Sequence, residues 1–105
     1  MAKLELNLHT KTGDVKYEEH HVSGQKYLDL MNMKIGFEKA KTITVVDVVE
    51  ERLKFTASLF SDEKVTAEAI LQGTDPWELL PMLDRIEDAV LGVVPGEEKR
   101  KYNCY

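Results

Sequence analysis

The chain opens on an alternation of apolar and polar residues. In "KLELNLHT", Leu4, Leu6 and Leu8 share one parity and Lys3, Glu5 and Asn7 the other. That period of two is the signature of a strand with one buried face. "TKTGD" follows, and Gly13 and Asp14 tolerate positive φ, so a turn and a β-hairpin are predicted. Val15 and Tyr17 resume the apolar face, but the alternation fails by Glu19 and Val22 has changed parity. The second strand therefore ends or bulges near His20 and His21. A two-stranded hairpin is marginal alone, so the leucine face needs a cover.

The rest of the pattern steps by three and four. Ser23 caps a predicted helix from Gly24 to Ile35, with Leu28, Met31 and Ile35 on one stripe and Gly36 as its stop. "TITVVDVVEERLKFTASLF" starts with β-branched residues that favour a strand. From Val46 the helical period takes over through Val49, Leu53, Ala57 and Phe60, with Glu50, Glu51, Arg52 and Lys54 on the other side. One helix from Val45 to Phe60 is predicted. "SDEKV" reads as a turn and "TAEAILQ" as a short helix, capped by Thr66 and closed by Gly73.

In the last helix Asp75 is the expected N-cap, Pro76 takes the first position, and Glu78 completes a capping box. Trp77, Leu80, Leu83, Ile86 and Val90 form the expected apolar stripe; Trp77 on it and Phe60 on the stripe from Val46 are expected core residues. Pro81 removes a backbone hydrogen bond to Trp77 and predicts a kink. Near a helix start this costs less than the ~3 kcal/mol of an interior proline. Pro95 and Gly96 then end the helix. The expected fold is α+β and mainly helical, with an N-terminal β-hairpin packed against three to four α-helices. It forms a single domain over residues 1–94, followed by a charged tail over 95–105.

Composition narrows the function. The chain has 105 residues, 43% hydrophobic and 31% charged, enough for one modest core. Its 14 basic and 19 acidic residues leave a net charge of −5, which argues against nucleic acid as a partner. No apolar run approaches the ~18 residues of a membrane span. "MAKLELNLHTK" has no apolar signal core and no small-residue cleavage site, so an intracellular protein is expected. The single cysteine, Cys104, has no internal disulfide partner, in keeping with a reducing compartment.

Chemistry finds little purchase in this layout. His9, His20 and His21 are the only metal-like group. Adjacent histidines on a strand point to opposite faces, and at most one of them meets His9 across the hairpin, so a solvated strand end is expected and no metal. Asp84, Glu87 and Asp88 lie opposite the expected stripe and read as a solvated face. Asp62 and Glu63 sit in a turn without the spacing of a calcium loop. No nucleophile motif, phosphate loop or zinc spacing occurs, and Cys104 has nothing near it to lower its pKa. No catalytic or cofactor-binding residue is expected. "LMNMKIGF" holds more apolar residues than one face needs: Met31 packs inward, while Met33 and Phe37 fall off its stripe. Met33 and Phe37 either close over the hairpin or meet a partner, and they are the candidate partner-binding residues.

The order of elements also resembles a known family. A short hairpin, a helix and a long helix ending in "SLF" precede the "VTAEAILQG" helix and the closing "ELLPMLDRIEDAVLG". This is similar to the small tail assembly chaperones of long-tailed bacteriophages and prophages of Gram-positive hosts. The likeness covers roughly Leu4 to Gly92 and rests on packing residues such as Phe60, so it transfers no active site. It implies a non-enzymatic protein of the host cytoplasm, absent from the finished virion. Such a protein binds the tape-measure protein, keeps it soluble and recruits tail-tube subunits; self-association is also open. In many relatives a ribosomal frameshift near the gene's end yields a longer product, which would fall at "EEKRKYNCY". The residues alone fit equally a small acidic adaptor or an inhibitory protein that blocks a basic partner.

Overall fold

The computed structural model describes residues 4–92. In chain order they form β1 (Leu4–Thr10), β2 (Gly13–Glu19), α1 (Gln25–Lys39), α2 (Val45–Ser58), α3 (Ala67–Gly73) and α4 (Pro76–Leu91). The fold is α+β and mainly helical, a hairpin followed by four helices. The segment 95–105, with Pro95, Gly96 and Cys104, lies outside the described residues.

The hairpin is antiparallel, in a register running from Leu4 opposite Glu19 to Thr10 opposite Gly13. Gly13 takes a φ of +120°, a conformation that side chains rarely adopt, so glycine is needed to start β2. Leu4, Leu6 and Leu8 are all buried, and β1 packs against α3 and α4. The outer face sets Glu5 opposite Glu18, and Lys16 Nζ lies 3.4 and 3.1 Å from their carboxylates. At the strand end the Glu19 carboxylate accepts hydrogen bonds from the Ser61 hydroxyl and backbone N–H, both at 2.7 Å. The hydroxyl bond first, then the backbone bond, holds this carboxyl below the usual range. Both tie the end of β2 to the loop after α2.

Helix α3 meets β1 closely enough to dictate its last residue. A Cβ on buried Gly73 would sit 3.0 Å from Leu8 Cβ and 3.1 Å from the His9 carbonyl oxygen. Neither neighbour is the free end of a side chain. Thr66 caps α3 as expected, accepting from the Ala69 N–H at 3.0 Å. Ile70, fully buried, joins Leu6, Leu30, Leu83 and Ile86 at the centre of the core. Burying a side chain of this size is worth ~1.5–3 kcal/mol.

Helix α1 runs past Gly36, its expected stop, to Lys39. Its N-cap is Gly24 and not Ser23, with no side-chain capping bond, although the Ser23 hydroxyl accepts from the Gln25 N–H at 3.1 Å. The face turned inward is not the expected one: Leu30 is fully buried and Met33 packs on the core, while Leu28 and Ile35 are exposed. Leu30, Met33 and Phe37 repeat the i, i+3, i+7 spacing of Leu28, Met31 and Ile35. Periodicity marks two stripes on this helix and cannot say which one faces the core.

Helix α2 begins at Val45 because Thr44 and Asp47 form a reciprocal capping box. The Asp47 N–H donates to the Thr44 hydroxyl at 3.1 Å, and the Thr44 N–H to the Asp47 carboxylate at 3.2 Å. This settles the β-branched stretch as helix, which ends at Ser58, just short of the expected Phe60. Leu53 and Phe60 are buried as expected, whereas Val46 is exposed.

Helix α4 departs furthest from its reading. It is one uninterrupted helix with Pro81 inside it. Asp75 makes no side-chain capping bond. Gly92, at φ +76°, stops the helix ahead of Pro95 by donating its N–H to the Ala89 and Asp88 carbonyls. Trp77, expected in the core, is 73% exposed, and Leu80 is also exposed. The cause is geometric. Each residue turns ~100°, so a row built from steps of three drifts ~60° per step. From Trp77 to Ile86 the row passes halfway round the helix. The buried arc is Met82, Leu83 and Ile86, with Leu79 and Val90 partly buried beside it.

Replacing Gly73 by alanine is expected to cost ~1–3 kcal/mol, the usual penalty for overpacking a filled site. Urea unfolding of the variant tests this; an unchanged midpoint would mean that α3 and β1 can part without loss.

Candidate partner-binding surface

Glu87, read from the sequence as part of a solvated face, is buried, its side chain 5% exposed. It lies at the edge of the arc that carries Leu83 and Ile86. Arg52 of α2 donates from Nε to Glu87 Oε2 at 2.7 Å and from Nη2 to Asp84 Oδ1 at 2.6 Å. Lys34 Nζ of α1 lies 3.6 Å from Glu87 Oε1. One carboxylate thus joins three helices. Burial opposes the Arg52 charge, but the hydrogen bonds it donates to Glu87 and then to Asp84, with their attraction, outweigh it and raise its pKa above the ordinary value. A charged residue flanking an apolar stripe is the only sequence signal for this joint, and it is shared with most surface helices.

The histidines are kept apart. His9 faces Asp14 in the hairpin register, donating from Nδ1 at 2.6 Å, with Asp75 Oδ2 3.6 Å from Nε2. The bond and attraction of Asp14, then the attraction of Asp75, raise the His9 pKa above 6.5. This pairing also engages the carboxylate expected to cap α4. His20 follows Glu19, whose partner is Leu4, at the other end of the hairpin. The two ends are roughly 16 Å apart at ~3.3 Å per residue. His9 therefore does not meet His20 or His21 across the hairpin. Among the described residues no three His, Cys, Asp or Glu side chains gather as a metal-ligand group. His20 and His21 instead border a 370 Å³ cleft with Leu4, Tyr27 and Val90.

What the surface does display is apolar. Tyr27, Leu28 and Ile35 are exposed on α1, Val45 and Val46 at the start of α2, Leu71 on α3, and Trp77 and Leu80 at the start of α4. Of the two residues expected to meet a partner, Met33 packs against the core and Phe37 is half-buried. The sequence signal for the exposed set was the second apolar stripe of α1 and the i+3 drift of α4. No helix among the described residues is long and apolar enough to cross a membrane.

These exposed side chains make up the candidate partner-binding surface of a small domain of one hairpin and four helices. The model of the family described as "Phage tail chaperone protein" matches residues 1–103, and the chain belongs to that family. Membership supports a chaperone role in tail assembly, with tail-assembly proteins as partners. No curated protein and no solved structure shows a significant match.

Arg52→Ala leaves the Glu87 carboxylate buried beside Lys34 alone and is expected to destabilise by ~3–5 kcal/mol. Equilibrium urea unfolding tests it; a loss under ~1 kcal/mol, the range of a surface pair, would remove the joint from the account. The two stripes of α1 give a second test. Met33→Ser with Phe37→Ser should lower the melting temperature well below that of Leu28→Ser with Ile35→Ser, and the reverse order would contradict the packing of this helix.

Proposed function

We propose that this chain binds the tape-measure protein during phage tail assembly, keeps it soluble and brings tail-tube subunits to it, without catalysing a reaction. The protein acts in the host cytoplasm and leaves before the virion is complete. The observation that carries this reading is the exposed apolar set. Large apolar side chains remain outside on α1 and at the starts of α2 and α4, in a domain that has already closed a core around Leu6, Leu30, Ile70, Leu83 and Ile86. Surface of that kind suits transient cover for another protein's apolar segments. Family membership supports the tail as the setting.

An assembly factor must also release its client. Each exposed side chain contributes at most ~1.5–3 kcal/mol when covered, and association costs offset much of that sum. Contacts built from a few such residues are therefore reversible. Two apolar sets on different helices provide one surface for the tape-measure chain and another for a tail-tube subunit.

Co-expression tests the proposal. The tape-measure protein of the same phage should be largely insoluble when produced alone, and soluble and co-purifying when this chain is present. A tape-measure protein equally soluble with and without it, and absent from the purified chain, would contradict the proposal.

A further inference from the structure

Helix α1 turns one side to the core through Leu30 and Met33 and leaves another in solvent. On the exposed side Leu28, Asn32 and Gly36 stand four residues apart, so they form one i, i+4 row, the ridge along which helices most often pack. Gln25 and Lys39, seven residues either side of Asn32, and Ile35, seven after Leu28, fall on the same side and are exposed too. One helix carries all of them, so they share a face.

Nothing in the described chain calls for the glycine on this face. Gly36 lies inside α1, its φ is not positive, and a Cβ built on it meets nothing within 4 Å. Glycine inside a helix is less stable than alanine. What Gly36 supplies is a hollow in an exposed ridge, where another helix can come close. Leu28, 55% exposed, supplies the matching projection. Hollow and projection lie four residues either side of Asn32. A two-fold axis at Asn32 that sets two copies of α1 antiparallel therefore brings Leu28 of each to Gly36 of the other. The two Asn32 amides meet at the axis, each able to donate and to accept.

The charges follow the same symmetry. Asp29, whose Oδ1 accepts from Gln25 Nε2 at 3.0 Å, marks the N-terminal end of the face, and Lys39 marks the C-terminal end. Antiparallel copies set each Asp29 toward the other's Lys39, whereas parallel copies would set like charges together. The remaining charged residues of α1 lie off the face. Lys26 donates to Ser58, Lys34 lies 3.6 Å from Glu87, and Glu38 shares a side with Tyr27. Lys41, just past the helix, adds to the positive end.

We propose that a second copy of this chain docks on this face, α1 against α1, antiparallel about a two-fold axis at Asn32. One helix about 22 Å long from each copy makes a small interface. The dimer is therefore weak and exchanges, which leaves the face open to a client. The pairing stands apart from the tape-measure reading, and either can fail without the other.

Sedimentation equilibrium of the full chain tests it. The average mass should rise with concentration from one chain toward two. Gly36→Leu fills the hollow and should weaken association about tenfold or more. Circular dichroism should stay unchanged, because the site is open within the chain. Asp29→Lys and Lys39→Asp should each weaken association severalfold, and the two together should restore it, a rescue that parallel pairing does not give. These reversals carry the test if Gly36→Leu alters the fold. A mass of one chain at every concentration overturns the proposal, and so does a mass that climbs past two. Association that neither Gly36→Leu nor the charge reversals weaken lies on another surface and overturns it too. Reversals that weaken association without rescue overturn the antiparallel pairing and the proposal with it.

Discussion

A carboxylate taken out of water must be neutralised, and Glu87 is the point on which the helical part of this molecule turns. Leaving it unpaired would cost several kcal/mol, so α4 is stable in its place only if Arg52 and Lys34 reach it. That requirement sets α1, α2 and α4 against one another at one level of the bundle. The apolar core then fills the space between this joint and the leucine face of the hairpin, with α3 closing on β1 through Gly73.

The same constraint accounts for what is left outside. Arg52, near the middle of α2, and Glu87, in the second half of α4, hold the two helices together, while Val45 and Trp77 in their first turns stay exposed. A protein optimised only for stability would place polar residues at such positions. A chaperone of tail assembly needs apolar surface on a rigid frame, and this arrangement provides it without loosening the core.

How far the sequence could be read depended on whether a pattern had one geometric solution. The hairpin was legible because Leu4, Leu6 and Leu8 alternate with polar residues and a one-residue slip would turn all three outward. The α3 cap was legible in Thr66, and the Thr44–Asp47 box was present to be read though it passed unremarked. Helix α1 carries two apolar stripes of equal spacing, so the choice between Leu30–Met33–Phe37 and Leu28–Met31–Ile35 belongs to tertiary packing. In α4 the row from Trp77 joined residues that share no face, and that error also moved Glu87 to the wrong side. The candidate surface was less legible: the surplus apolar residues picked at the end of α1, Met33 and Phe37, turn inward or half inward, while the exposure of Leu28, Ile35, Val45 and Trp77 followed from tertiary packing.

The central claim is that the joint at Glu87 sets α1, α2 and α4 in place and that the apolar side chains left outside are what a tail-assembly partner covers. Amide hydrogen exchange of the chain, free and bound to the tape-measure protein, tests it most directly. The account predicts slowed exchange on binding in α1 or at the starts of α2 and α4, where the exposed apolar residues stand, with the hairpin amides little changed. Protection confined to the hairpin, or loss of protection across α2 and α4, would contradict it.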